Sequence, residues 1–386
     1  MKAWPKVALG ELLRRSDEAA VLDPAAEYHE VTIKLWGKGV LSRGKVRGGD
    51  VLSVRRVVRA NQLILSKIDA RNGAIGLVPP ELDGALVSND FPSFESRDPE
   101  RCDAAFMGWL VRSAPFVELC KAASEGTTNR VRIKEDRFLD QQIGLPPLSE
   151  QKAIVARLDT LSEKTREVEA HLNAVERDAE HLLALRFRDV IADAPLRLLA
   201  EVAPAIRRTV EIDISQSYRE VGARSFGKGL FVKPDFDGAE ATWQKPVWIK
   251  SGDLVFSNIK AWEGAIAVAS DVHDGCIASH RYITCVPNST MMTAGFLAYY
   301  MLSEDGLEKI GLASPGTADR NRTLSLGNLG KIEVPLPPLA QQQAFNHLQA
   351  QVAALKAKHA AIRHANAALI PATLERLFST EAPAHA

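Results

Sequence analysis

The sequence has no apolar run approaching the roughly 18 residues of a membrane-crossing helix, so no transmembrane segment is expected. Its first residues, MKAWPKVALGELLRR, lack the apolar core of a signal peptide, and a cytoplasmic location is the expectation. Cysteine is scarce. Cys102, Cys120, Cys276 and Cys285 form no CxxC pair, which argues against a zinc knuckle or a disulfide framework and predicts free, mostly buried thiols. The nine histidines form no cluster with metal-ligand spacing. Charge of one sign is not in excess either: 48 Lys and Arg balance 48 Asp and Glu. That excludes a uniformly basic, histone-like chain and an acidic, charge-disordered one. A local basic patch can still lie inside a neutral total.

Catalytic signatures are missing too. There is no GxSxG, no HExxH, no Asn-Pro-Pro-aromatic motif and no glycine-rich loop for S-adenosylmethionine. The stretch from Gly222 to Gly229, GARSFGKG, looks like a phosphate loop, but its last position is glycine where a Ser or Thr must hold magnesium. It reads as a turn with a basic contact. Glu150-Gln151-Lys152 could end a nuclease carboxylate motif, but it opens a long helix and reads as helix capping and solvation. Across 386 residues, enough for two or three domains, binding or scaffolding is a better reading than catalysis.

What the chain does have is an internal duplication. YHEVTIKLWGKGVL from Tyr28 matches YREVGARSFGKGLF from Tyr218, with six identities in fourteen. LILSKIDARNGAIGLV from Leu63 matches LVFSNIKAWEGAIAVA from Leu254, with seven in sixteen. ASEGT from Ala123 matches ASPGT from Ala313, and LPPLSEQ from Leu145 matches LPPLAQQ from Leu336. The offsets are 190, 191, 190 and 191, so the chain is two copies of one unit.

Each copy begins with a mixed region. Short apolar runs at 63–65, 74–78 and 265–268 read as strands, and short helices are expected over 106–122 and 294–312. A proline pair then precedes a long helix. Ile154, Leu158, Leu161, Thr165, Val168, Leu172, Val175, Ala179 and Leu182 alternate steps of four and three, as do Phe345, Leu348, Val352, Leu355, His359, Ile362, Asn366 and Leu369. This is a coiled-coil seam. The first helix is expected over about 149–190, capped by Ser149, and at ~1.5 Å per residue spans on the order of 60 Å. His359 and Asn366, polar on the seam, are read as fixing register. If the helices pair antiparallel, the mixed domains resemble a dimer tied into one polypeptide and suit a DNA duplex with two half-sites.

The charges are locally uneven. Residues 31–72 carry ten basic side chains (Lys34, Lys38, Arg43, Lys45, Arg47, Arg55, Arg56, Arg59, Lys67, Arg71) against Asp50 and Asp69, a net +8, with glycines interleaved. Residues 73–100 carry a net −5. A basic face backed by acidic regions is the footprint of a DNA-binding module. Phosphate contacts are expected from Lys34, Lys38, Lys45, Lys228, Lys233, Thr127 and Thr317; base reading from Arg43, Arg47, Arg71, Asn89, Asn258, His280 and Arg281. Lys67, Thr128, Arg130, Arg224, Lys260, Trp262, Arg320 and Arg322 complete the candidate DNA-binding set, and no residue is assigned to catalysis or metal.

The duplicated plan, the two proline-turn-helix motifs, the GKG stretches, the GAI segments and the AS-x-GT loops together resemble the DNA-specificity subunit of type I restriction-modification systems, along essentially the whole chain. The resemblance implies an α+β fold of two tandem mixed α/β target-recognition domains, each followed by a long helix, with the helices pairing as an antiparallel coiled coil. It implies target-recognition domains at 1–148 and 191–339, and spacer helices at 149–190 and 340–386. It implies a non-catalytic subunit that reads a split, asymmetric site in double-stranded DNA. The implied partners are two methylation subunits and a restriction subunit, with no membrane. S-adenosylmethionine, ATP and magnesium would belong to those partners, with no cofactor in this chain. A coiled-coil protein-interaction scaffold without DNA specificity is the alternative.

Overall fold

The computed structural model describes residues 4–126, 131–241, 245–316 and 322–379. It falls into two compact units, residues 1–172 with 359–386, and residues 173–358.

The first unit holds two four-stranded sheets. Strands β1 (Leu13–Ser16), β2 (Glu27–Ile33), β3 (Val40–Arg47), β4 (Arg56–Val58), β5 (Leu63–Leu65), β6 (Ile75–Leu77), β7 (Ala85–Val87) and β8 (Ser93–Ser96) pair in the orders β1-β8-β5-β6 and β3-β2-β7-β4. The runs at 63–65 and 75–77 are strands because they are short, apolar and bounded by turn residues. Every residue of β5 is buried, as expected where a strand is covered on both faces. Two helices follow, α1 (Ala104–Leu110) and α2 (Ala114–Ala122). The expected single helix over 106–122 is therefore broken. Ser113 accepts a hydrogen bond from the Phe116 amide and caps a new helix, with Pro115 in its first turn.

The second unit repeats the plan with a shorter first hairpin. β9 (Val221–Ala223) pairs with β10 (Leu230–Val232), and β11 (Leu254–Ser257) lies between β12 (Ile266–Val268) and β13 (Tyr282–Cys285). The helix expected over 294–312 is again two, α4 (Ala294–Met301) and α5 (Glu304–Leu312), with Ser303 capping the second.

The duplication extends to single hydrogen bonds. Tyr28 Oη accepts from the Asp23 amide at 2.9 Å, and Tyr218 Oη from the Asp213 amide at 2.9 Å. At Gly48 a Cβ would lie 2.1 Å from Asp23 O, and at Gly238 the same distance from Asp213 O, so both positions exclude any side chain.

The long helices are α3 (Leu148–Ile191) and α6 (Leu339–Phe378). In the first unit Ile154 and Leu158 share a core with Leu374 and Phe378, while Asn366 Nδ2 donates to Thr165 O at 2.9 Å and Arg363 pairs with Glu169 at 2.8 Å. In the second, Lys356 pairs with Glu180 at 2.5 Å and Phe187 packs on Phe345, ring centroids 5.5 Å apart. Rising numbers on one helix meet falling numbers on the other, so the pairing within each unit is antiparallel. Asn366 bonds across the seam, as a register-fixing polar group does. His359 is buried on it.

Two expectations at the helix start are corrected. Helix α3 begins at Leu148, with Pro147 O accepting from the Glu150 and Gln151 amides, so Ser149 lies inside the helix and does not cap it. Gln151 is not solvated. It is fully buried: its Oε1 accepts from the Asp103 amide at 2.9 Å, and its Nε2 donates to Arg101 O at 3.0 Å and Pro146 O at 2.8 Å. Gln342 does the same with the Thr293 amide (2.8 Å), Met291 O (2.8 Å) and Pro337 O (2.9 Å). A primary amide supplies one acceptor and two donors in one plane, which a buried carboxylate or alkyl group cannot. Each glutamine therefore ties the start of a long helix to the capped start of a short one, since Asp103 and Thr293 are the N-caps of α1 and α4.

Candidate nucleic-acid interface

In each unit the loops at one end of the mixed region are sewn together by backbone hydrogen bonds. In the second unit the β9–β10 turn docks on the short 3-10 turn Ala261–Glu263: Phe226 N donates to Glu263 O at 2.8 Å and Gly227 N to Gly264 O at 2.9 Å. Asn258 N donates to Arg281 O at 2.8 Å, and Leu324 N to Asn258 O at 2.7 Å. The first unit has the equivalent set: Trp36 N to Asn72 O and Gly37 N to Gly73 O, both 3.0 Å, with Lys67 N to Asp90 O and Ile133 N to Lys67 O, both 2.8 Å. Gly73 and Gly264 are at φ 76° and 78°, a left-handed conformation that favours glycine, and at Gly73 a Cβ would also lie 3.2 Å from the Trp36 backbone.

These seams gather much of the candidate set. In the second unit Arg224, Lys228, Lys260, Trp262, His280, Arg281 and Arg322 lie on the joined loops. Lys260 and Arg322 both sit 5.3 Å from the Trp262 ring centroid, a cation–aromatic cluster. Arg224 lies 4.5 Å from the Phe231 ring centroid and Lys228 5.8 Å from that of Phe226. The hydrogen bond from Lys260 holds the Glu263 carboxyl below its ordinary range. Glu263 also accepts from Ser225, which fixes the turn to its support.

In the first unit Lys34 and Lys38 flank the β2–β3 turn, and Arg71 and Asn89 lie on the adjoining loops. Arg43, Lys45 and Arg47 stand along exposed β3, away from the turn. An open cleft of about 380 Å³ adjoins the turn, lined by Lys38, Trp109, Arg112 and Asp159 among others. Trp109 Nε1 donates to Asp159 at 2.9 Å, and the Arg112 guanidinium stacks 4.2 Å from the Trp109 centroid.

Several candidates are already engaged. Lys67 pairs with Glu135 at 2.8 Å and Lys233 with Glu220 at 2.8 Å; Lys45 approaches Glu27 at 3.7 Å. Asn89 Oδ1 accepts from Arg56 at 3.2 Å. Asn258 Oδ1 is buried and meets no donor among the described residues, so the two-pronged base contact expected of Asn258 is not presented in this conformation. Arg55 pairs with Glu30, Arg56 with Asp17, and Arg59 with Glu18. Five of the ten cations in residues 31–72 are thus neutralised by acids far away in sequence. Lys34, Lys38, Arg43, Arg47 and Arg71 have no acidic partner among the described residues. Thr127, Thr128, Arg130, Thr317 and Arg320 lie outside the described residues.

Sequence reasoning missed Arg112 and the two turn aromatics Trp36 and Phe226, although the alignment of LWGKG with SFGKG already set those rings at one position. The thiols play no part. All four cysteines are buried and free, and burial pushes Cys102 up to about 11 and Cys120 and Cys285 up to about 12. Among the described residues no group of three His, Cys, Asp or Glu could hold a metal, and no helix is long and apolar enough to cross a membrane.

Comparison with known proteins gives this geometry a context. No curated protein sequence matches the chain. The fold is similar to the HsdS subunit from Thermoanaerobacter tengcongensis, with 23% identity, a TM-score of 0.64 and coverage of 99% of this chain and 98% of that one. It is similar also to a chain in a structure reporting complex assembly and conformational transition of the type I R-M system, with 24% identity, a TM-score of 0.71 and 99% of each chain covered. Residues 57–177 match the Type I restriction modification DNA specificity domain. The type I restriction modification DNA specificity domain thus lies in the first half of the chain, and the fold along its whole length is that of the HsdS subunit.

Proposed function

We propose that the chain is a non-catalytic subunit that reads a bipartite, asymmetric DNA site and directs methylation and restriction by partner subunits. On this reading residues 1–148 take one half-site and 191–339 the other. The helices at 149–190 and 340–386 set the spacing and dock two methylation subunits, and a restriction subunit joins them. S-adenosylmethionine, ATP and magnesium are then held by the partners. The observation that carries the reading is the recurrence, in both units, of one set of sewn loops bearing cations without an acidic partner among the described residues, Lys34 and Lys38 in the first and Arg224 and Lys228 in the second. Similar scaffolds bearing different side chains suit two different half-sites.

The test is to map methylated bases in DNA modified by the complex of this chain with its methylation subunits. A split motif is expected. Replacing residues 191–339 with the corresponding domain of another family member is expected to change one half of that motif only. A motif unchanged by the exchange overturns the division of labour. A shallow dependence of duplex affinity on salt favours the protein-scaffold alternative, because phosphate contacts release counterions and give a steep slope.

A further inference from the structure

Of the non-glycine residues described, four have positive φ, and two of these are bulky aromatics at one duplicated position: Trp36 at 61° and Phe226 at 62°. A side chain of that size in the left-handed region is an outlier that the surrounding structure must hold in place. Here the holding is visible. Each turn is pinned by two backbone hydrogen bonds to its supporting loop and closed by a third, Lys34 N to Gly39 O at 2.9 Å and Arg224 N to Gly229 O at 3.0 Å. The backbone is fixed while the rings are left in solvent, Trp36 71% and Phe226 76% exposed. Packing within its unit therefore does not explain either ring.

The setting of each ring is cationic. Lys34 and Lys38 flank Trp36, and Arg224 and Lys228 flank Phe226, none with an acidic partner among the described residues. A surface that offers both unpaired cations and a rigid exposed ring matches a polyanion that presents stacked aromatic bases. Proteins that press apolar side chains into a DNA groove use the same combination.

We propose that Trp36 and Phe226 are duplex-contacting residues, one per unit, whose rings enter a DNA groove against base edges and sugars while the flanking cations take phosphates. The proposal rests on the DNA-recognition reading and adds to it the side chains that reach the duplex.

The test uses the full chain, a fluorescently labelled mixed-sequence DNA duplex and the variants Trp36→Gly, Phe226→Gly, Trp36→Phe and Lys38→Ala. Glycine removes the ring and also relieves the left-handed backbone, so the melting temperature is expected to hold or rise. Duplex affinity is expected to fall about tenfold in each glycine variant, with the salt slope unchanged, since no charge is lost. Trp36→Phe should bind nearly as the parent does, and Lys38→Ala should lower the slope by about 1. A parent chain whose duplex binding does not depend on salt overturns the DNA reading and the proposal with it. A steep parent slope with undiminished affinity in both glycine variants overturns the proposal alone. A fall in melting temperature, or loss of methylation-subunit binding with duplex affinity intact, assigns the rings to stability or to a protein partner and also overturns it.

Discussion

The same corner of the two units is tied down by different chemistry. In the first unit Gln62 accepts from the Arg59 amide at 3.0 Å and donates to Ser16 at 2.9 Å. In the second, the equivalent Asp253 accepts from the Lys250 amide at 2.9 Å and receives a forked Arg208 guanidinium at 2.6 and 3.1 Å. Asp253 is only 2% exposed, whereas the nearby Arg59–Glu18 pair of the first unit lies in solvent. The two copies keep the backbone contact and exchange the partner. Duplicated units hold on to main-chain geometry and let side-chain chemistry drift wherever every buried polar group stays satisfied.

That contrast can be broken. Arg208→Leu leaves a buried carboxylate with its backbone donor alone, and should cost about 3 kcal/mol, read as a lowered denaturant midpoint. Arg59→Leu should cost less than about 1 kcal/mol, because an exposed pair gives little. Equal losses would mean that the corner is not organised differently in the two units. Next come the helix-start glutamines. Gln151→Leu and Gln342→Leu each strand one amide and two carbonyls, and each should cost about 2–3 kcal/mol. Here the two units should respond alike, and a large difference would undo their structural equivalence. Third, with each cation neutralised singly, Lys38→Ala and Lys228→Ala should each lower the salt slope of duplex binding by about 1, and the ion-paired Lys67→Ala and Lys233→Ala by less. The smallest effect is on the thiols. Native protein at neutral pH should take up almost no alkylating reagent at Cys102, Cys120 or Cys285, since burial both shields them and suppresses the thiolate. Rapid labelling confined to one unit would mark that unit as the one that opens.

Features whose cause is local were legible in the sequence. The heptads gave the long helices, the apolar runs at 63–65 and 265–268 gave strands, and four ordered matches gave the duplication. Features made by distant partners were not. A window of ten cations looked like a basic face because its acids, Glu18, Glu30 and Glu135 among them, lie outside it. Gln151 looked like a solvated residue of a first helical turn because nothing nearby announces Asp103 and Arg101, 48 and 50 residues earlier. The helix breaks at Ser113 and Ser303 carried a signal, an N-capping residue followed by Pro115 in one case and by Glu304 and Asp305 in the other, that the apolar pattern overrode. The left-handed turns have no composition of their own beyond the adjacent glycines.

The docking of those turns through main-chain atoms has a consequence for how such a chain can change. Because Gly73 and Gly264 receive only backbone, the side chain at position 36 or 226 is nearly invisible to folding. A mutation there spends little of the fold's margin, so the exposed ring of each turn is also among the side chains freest to be replaced. Trp36 and Phe226 are two settings of one dial, already turned independently within a single polypeptide.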